Sequence, residues 1–89
     1  MKKNLPKNLA DGKDPQYSTP DLGVSAALLS SGFTLVNFDN SDPRRVIFFF
    51  ADQPALRERV ADYWNDNLKV QALTFFNHLK GLKSRIHSI

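Results

Sequence analysis

Arg45-Val46-Ile47-Phe48-Phe49-Phe50-Ala51 is the stretch on which the fold turns. β-Branched and aromatic side chains suit a pleated, half-buried surface, so these residues read as a strand. Successive strand side chains point to opposite faces. The unbroken apolar run over residues 46–51 therefore puts bulk on both faces, whereas a hairpin strand with one wet face alternates apolar with polar. Such a strand needs cover on both faces, and that requirement organises the rest of the chain.

Working outward, Phe33-Thr34-Leu35-Val36-Asn37-Phe38-Asp39 reads as a second strand, and Asn40-Ser41-Asp42-Pro43-Arg44 is turn chemistry, so the two predict an antiparallel hairpin. Upstream, Tyr17-Ser18-Thr19-Pro20-Asp21 predicts a helix start: Thr19 as N-cap, Pro20 at the first helical position and Asp21 at the positive end of the helix dipole. Leu22, Ala26 and Leu29 recur at helical spacing and Gly32 supplies a left-handed stop, so the first helix is expected over residues 20–31. Downstream, Asp52 or Gln53 can cap a second helix with Pro54 in its first turn, an apolar stripe of Leu56, Val60 and Tyr63 beside Trp64, and an end at Asn65-Asp66-Asn67. After the link Leu68-Lys69-Val70, the residues Ala72, Phe75, Leu79, Leu82, Ile86 and Ile89 form a continuous helical seam, expected to pack on the second helix. Gly81 costs that last helix about 1 kcal/mol relative to alanine. Its face, shared with Thr74 and Arg85, is expected to lie close to another backbone.

Residues 1–16 hold only Leu5 and Leu9 as large apolar side chains, too little burial to offset the entropy of ordering them. The expected organisation is a flexible tail over 1–16 and a single α+β domain over 17–89. Within it, an α-β-β-α-α order packs an antiparallel hairpin on three helices. A lone two-stranded sheet is marginal and unpaired edges invite strand addition, so the other face or the open edge of the hairpin is expected to pair with a second copy, in a homodimer with a shared four-stranded sheet.

With 89 residues the chain can close one hydrophobic core. Its 42% apolar content is that of a folding chain, not a disordered one. No window reaches the length of a membrane span and no apolar segment follows the opening lysines, so no membrane partner is expected and the cytoplasm is the expected location. Without cysteine there is no disulfide or thiolate metal site. The net charge of +3 is modest, but its distribution is uneven: no acidic residue follows Asp66, while Lys69, Lys80, Lys83 and Arg85 do.

Several short blocks in one order resemble a family of short uncharacterised bacterial and phage proteins, a domain of unknown function. These blocks are Tyr17-Ser18-Thr19 with Asp21-Leu22, Gly32-Phe33, Pro43-Arg44-Arg45-Val46, Tyr63-Trp64-Asn65, Leu68-Lys69-Val70, and Leu79-Lys80-Gly81-Leu82-Lys83-Ser84-Arg85-Ile86. The resemblance spans about residues 17–87. It implies a bacterial or phage context, with host cytoplasm as the setting if phage-encoded, and no mechanism.

Nothing in the chain matches a dinucleotide, phosphate-loop, zinc-protease or hydrolase motif, so no enzyme, cofactor, metal or small-molecule substrate is expected. His78 and His87 are nine residues apart on one helix and face different directions. Glu58 and Asp62 stand four apart, but Arg57 and Arg59 beside them favour a solvated mixed-charge face over a carboxylate couple. The basic cluster carries the functional expectation. Lys80, Lys83 and His87 fall in one helical stripe beside the apolar seam, with Arg85 on its other flank, and Arg44 and Arg45 project from the hairpin turn. Cations in the last turns of a helix also complement its dipole without any ligand. Phe48-Phe49-Phe50 lacks interleaved polar residues and fits core or interface better than a base-stacking platform. Two functions follow as expectations. One is a nucleic-acid-binding accessory protein meeting DNA or RNA phosphates through Arg44, Arg45, Lys80, Lys83 and Arg85. The alternative is a protein-interaction module, a self-associating adaptor or host-takeover factor, anchored by Phe49, Trp64 and Phe76.

Overall fold

A computed structural model describes residues 15–87. The expected tail over residues 1–14 lies outside the described residues, and so does Ile89. Six elements follow in order: β1 (Gln16–Thr19), α1 (Leu22–Ser30), β2 (Leu35–Asp39), β3 (Ile47–Ala51), α2 (Leu56–Trp64) and α3 (Ala72–His87). This is a small α+β domain with three helices and a three-stranded antiparallel sheet in the order β1-β3-β2.

The apolar strand β3 is central. It pairs with β2 as the expected hairpin, with Val36 bulged out between the Leu35–Phe50 and Asn37–Phe49 pairs. Its other edge takes β1, an element the sequence reading did not contain. Gln-Tyr-Ser-Thr is short and mostly polar, and the strong helix-start signal beside it hides the strand. Only pairing with a strand already in place orders it: Tyr17 stands opposite Phe50 and Thr19 opposite Phe48, while the Asp52 N–H donates to the Pro15 carbonyl at 3.1 Å. The Arg57 guanidinium covers the Tyr17 ring at 5.1 Å and is held by Asp52 at 2.8 Å. Two expectations are corrected by β1. Gln16 belongs to the sheet and not to the tail. The hairpin does not stand alone either: the free edge of β3 is filled by the chain itself, and the sheet has three strands where two were expected.

Side chains of β3 alternate in burial as its pleat requires. Phe48 and Phe50 are buried, whereas Ile47, Phe49 and Ala51 are half-buried and none of these three joins the core cluster. The core gathers Val24, Ala26 and Leu28 of α1, Val46, Phe48 and Phe50, Leu56 of α2 and Leu82 of α3. Complete burial of a side chain such as Phe50 or Leu56 contributes roughly 1.5–3 kcal/mol.

Helix α1 is the hub, packed against both α2 and α3. Its buried residues run unbroken from Val24 to Leu28, and so surround the helix instead of forming the single stripe expected of Leu22, Ala26 and Leu29. Small residues make this possible. Ser25 is fully buried, and its hydroxyl is satisfied by donating to the Asp21 carbonyl at 2.9 Å. The α3 seam of Phe75, Leu79, Leu82 and Ile86 consequently packs on α1, not on α2 as expected.

Helix ends also depart from the expectation in detail. Asp21, not Thr19, is the N-cap of α1: its carboxylate accepts the Val24 N–H at 2.8 Å, and Thr19 Oγ1 accepts the Asp21 N–H at 3.1 Å. With Thr19 committed to β1, the cap shifts two residues. Gly32, at φ 94°, supplies the left-handed stop as expected. The N-cap of α2 is Ala55, in the left-handed region at φ 74°, with no side-chain cap. Asp52 is engaged by Arg57 instead.

Candidate nucleic-acid interface

Helix α3 turns about 100° per residue, which divides it into four arcs. Phe75, Leu79, Leu82 and Ile86 face the core. The outward arc carries Leu73 and Phe76, 70% and 52% exposed, followed by the exposed Lys80, Lys83 and His87. Lys80 Nζ lies 5.4 Å from the Phe76 ring centroid, so the aromatic and the ammonium form one unit. On the opposite flank stand His78 and Arg85. Between the flanks runs a crest of exposed Asn77, Gly81 and Ser84, short or absent side chains that let another molecule approach the helix. No residue of α3 is acidic.

Arg85 does not join Lys80 and Lys83. Five and two residues away, it falls on the far rim, where its guanidinium stacks over Phe38 of β2 at 5.1 Å. Phe38 in turn lies 6.5 Å from the Phe48 ring. This contact brings the C-terminal half of α3 beside the turn end of the β2–β3 hairpin, the end that presents Arg44 and Arg45. The turn is less positive than its arginines suggest. Asp42 accepts the Arg44 N–H at 3.0 Å through its carboxylate and lies 3.7 Å from the Arg44 guanidinium. The Asp42 carbonyl accepts the Arg45 N–H at 2.9 Å. Asp39 accepts the Ser41 N–H at 2.9 Å. That backbone bond, with help from the Ser41 hydroxyl, holds the Asp39 carboxyl below its ordinary range and keeps it charged. Two carboxylates thus offset the two arginines of the turn, while Lys80 and Lys83 have no acidic neighbour on their own helix.

The three expected protein anchors do not form one patch. Phe49 lies on the sheet face turned away from the helical core, and Phe76 lies on the outer arc of α3, so the sheet and helix layers separate them. Trp64, 62% exposed in the last turn of α2, rests edge-on against Tyr63 with centroids 5.0 Å apart. Glu58 and Asp62 both pair with Arg59, at 3.4 and 3.0 Å, the mixed-charge face expected of them.

What the sequence reading missed is the crest. Asn77, Gly81 and Ser84 carry no charge signal, and only the docking of α3 on α1 shows that they face solvent between two basic rims. The profile of a family known as a domain of unknown function, DUF5659, matches residues 14–88, nearly the whole chain. The chain belongs to the DUF5659 family. Among curated proteins and solved structures it has no significant match.

Proposed function

We propose that this DUF5659 domain is a non-enzymatic accessory protein of a bacterium or its phage that binds nucleic acid in the cytoplasm through the exposed arc of α3. One observation carries the reading: an acid-free helix presents a short polar crest between two basic rims, Lys80 and Lys83 on one side and Arg85 on the other. Such an arc suits a groove or strand whose phosphates flank it, because cations on each rim can meet phosphates while the crest approaches bases or sugars. Arg44 and Arg45 lie at the same end and extend the contact, muted by Asp39 and Asp42.

The test is fluorescence anisotropy with labelled DNA and RNA at two salt concentrations. Three phosphate contacts to a duplex predict a loss of roughly 40-fold in affinity between about 50 and 200 mM salt. Lys80→Glu combined with Lys83→Glu should abolish binding. Absence of binding at low salt, or binding indifferent to the double substitution, refutes the proposal.

A second reading rests on a separate surface. Ile47 and Phe49 stay half-buried outside the core and Val36 is 45% exposed at the bulge, an apolar sheet face suited to a second copy or another protein. Under this reading the domain self-associates face to face. Light scattering that gives a monomer mass at tens of micromolar would remove it.

A further inference from the structure

A groove of about 680 Å³ runs between the crest of α3 and the segment that leads from α1 into β2. Its two walls differ in character. Phe33 and Leu35 make one wall apolar, Asn77, His78 and Arg85 of α3 line the other above the buried Leu82, and no acidic side chain among the described residues borders it. Gly81 forms part of the lining, and a Cβ built on it meets nothing within 4 Å. The residue is helical, it is not at positive φ, and no backbone of the described residues crosses it, so within these residues nothing requires glycine there. Glycine in mid-helix is nonetheless the least favourable choice apart from proline. Its evident effect is to keep the groove open beside the basic arc.

We infer that this groove receives one unstacked nucleotide of a single strand, which makes the protein selective for single-stranded over duplex nucleic acid; the inference rests on the nucleic-acid reading above. The chemistry of the two walls matches the occupant. A base has apolar faces, which Phe33 and Leu35 can cover, and a polar edge, which Asn77 and His78 can meet with donors and acceptors. Arg85, held in place over Phe38, stands where the attached phosphate would pass. The volume falls within the range of small-molecule clefts, roughly 300–1,000 Å³. A base inside a duplex is stacked and paired and cannot enter. A second copy of α3 is a poor occupant, since it would bring an equally acid-free, basic helix against this one.

Affinities of the full chain for a labelled mixed-sequence 12-mer and for the matching 12-base-pair duplex, at low salt, test the inference together with Gly81→Leu and Gly81→Ala. Leucine narrows the groove and favours the helix, so the fold should be retained, as a thermal melt will report. The wild type should bind the single strand at least about tenfold more tightly than the duplex. Gly81→Leu should lose about tenfold on the single strand, a base-stacking-sized effect, and clearly less on the duplex, whose paired bases do not enter the groove; Gly81→Ala should fall between. Duplex binding as tight as single-strand binding, or a Gly81→Leu protein that melts normally and binds the single strand unchanged, overturns the groove's role while leaving the basic arc standing. Failure to bind either nucleic acid overturns both.

Discussion

Two glycines sit inside helices of this protein, and the same substitution at each should move stability in opposite directions. Gly81 of α3 faces open space, so Gly81→Ala adds a methyl that touches nothing and removes the conformational penalty of glycine. The gain is about 1 kcal/mol, which for a domain of this size raises the melting temperature by about 4–8 °C. At Gly23, in the first turn of α1, an added Cβ runs into the Tyr63 hydroxyl and comes within 3.2 Å of the Asp21 carboxylate oxygen that caps the helix. Tyr63 packs against the core and edge-on to Trp64, so it yields only by disturbing α2. Overpacking of this kind costs roughly 1–3 kcal/mol, at least as much as the propensity gain. Gly23→Ala should therefore destabilise. Urea unfolding followed by far-UV circular dichroism measures both substitutions, and a double-mutant cycle with Tyr63→Phe identifies the cause. Removing the hydroxyl should restore most of the loss, with a coupling of about 1 kcal/mol or more. A destabilised Gly81→Ala protein would mean that the chain does need glycine there. A neutral Gly23→Ala, or a cycle with no coupling, would refute the α1–α2 contact.

Phe50→Ala should cost about 3–5 kcal/mol and threaten folding altogether, whereas Phe49→Ala, one residue away on the uncovered face, should cost about 1 kcal/mol; equal losses in chemical denaturation would contradict the alternation of β3. Asp21→Ala should lose about 1 kcal/mol as the α1 cap, and Thr19→Ser, which keeps the hydroxyl acceptor, should lose less; the reverse order would restore Thr19 as the cap. By NMR titration, Asp39 should ionise below the ordinary aspartate range. Because its folded value is depressed, its contribution to stability is present above the unfolded value and fades as pH falls through the folded one. Ser41→Ala keeps the backbone N–H and should return the Asp39 midpoint only part of the way; complete return would make the hydroxyl the main cause.

Local chemistry was enough to determine the hairpin, the three helices, the left-handed stop at Gly32 and the two basic flanks of α3, because each depends on residues adjacent in the chain or one helical turn apart. The apolar run of β3 called for cover on both faces and said nothing of a strand on its second edge. That strand was decided by the tertiary structure: a four-residue polar segment has no strand signal of its own and becomes β1 only by pairing with Phe48 and Phe50, far along the chain. The same holds for α1, whose small residues gave no sign that it would be surrounded and take the place of α2 as the partner of α3. That docking orients α3 so that Asn77, Gly81 and Ser84 face solvent and Arg85, already on the other flank from Lys80 and Lys83, reaches Phe38. Charge could be counted along the chain, but the direction in which each charge points depends on the face a helix buries, and that is settled by contacts between residues far apart in sequence.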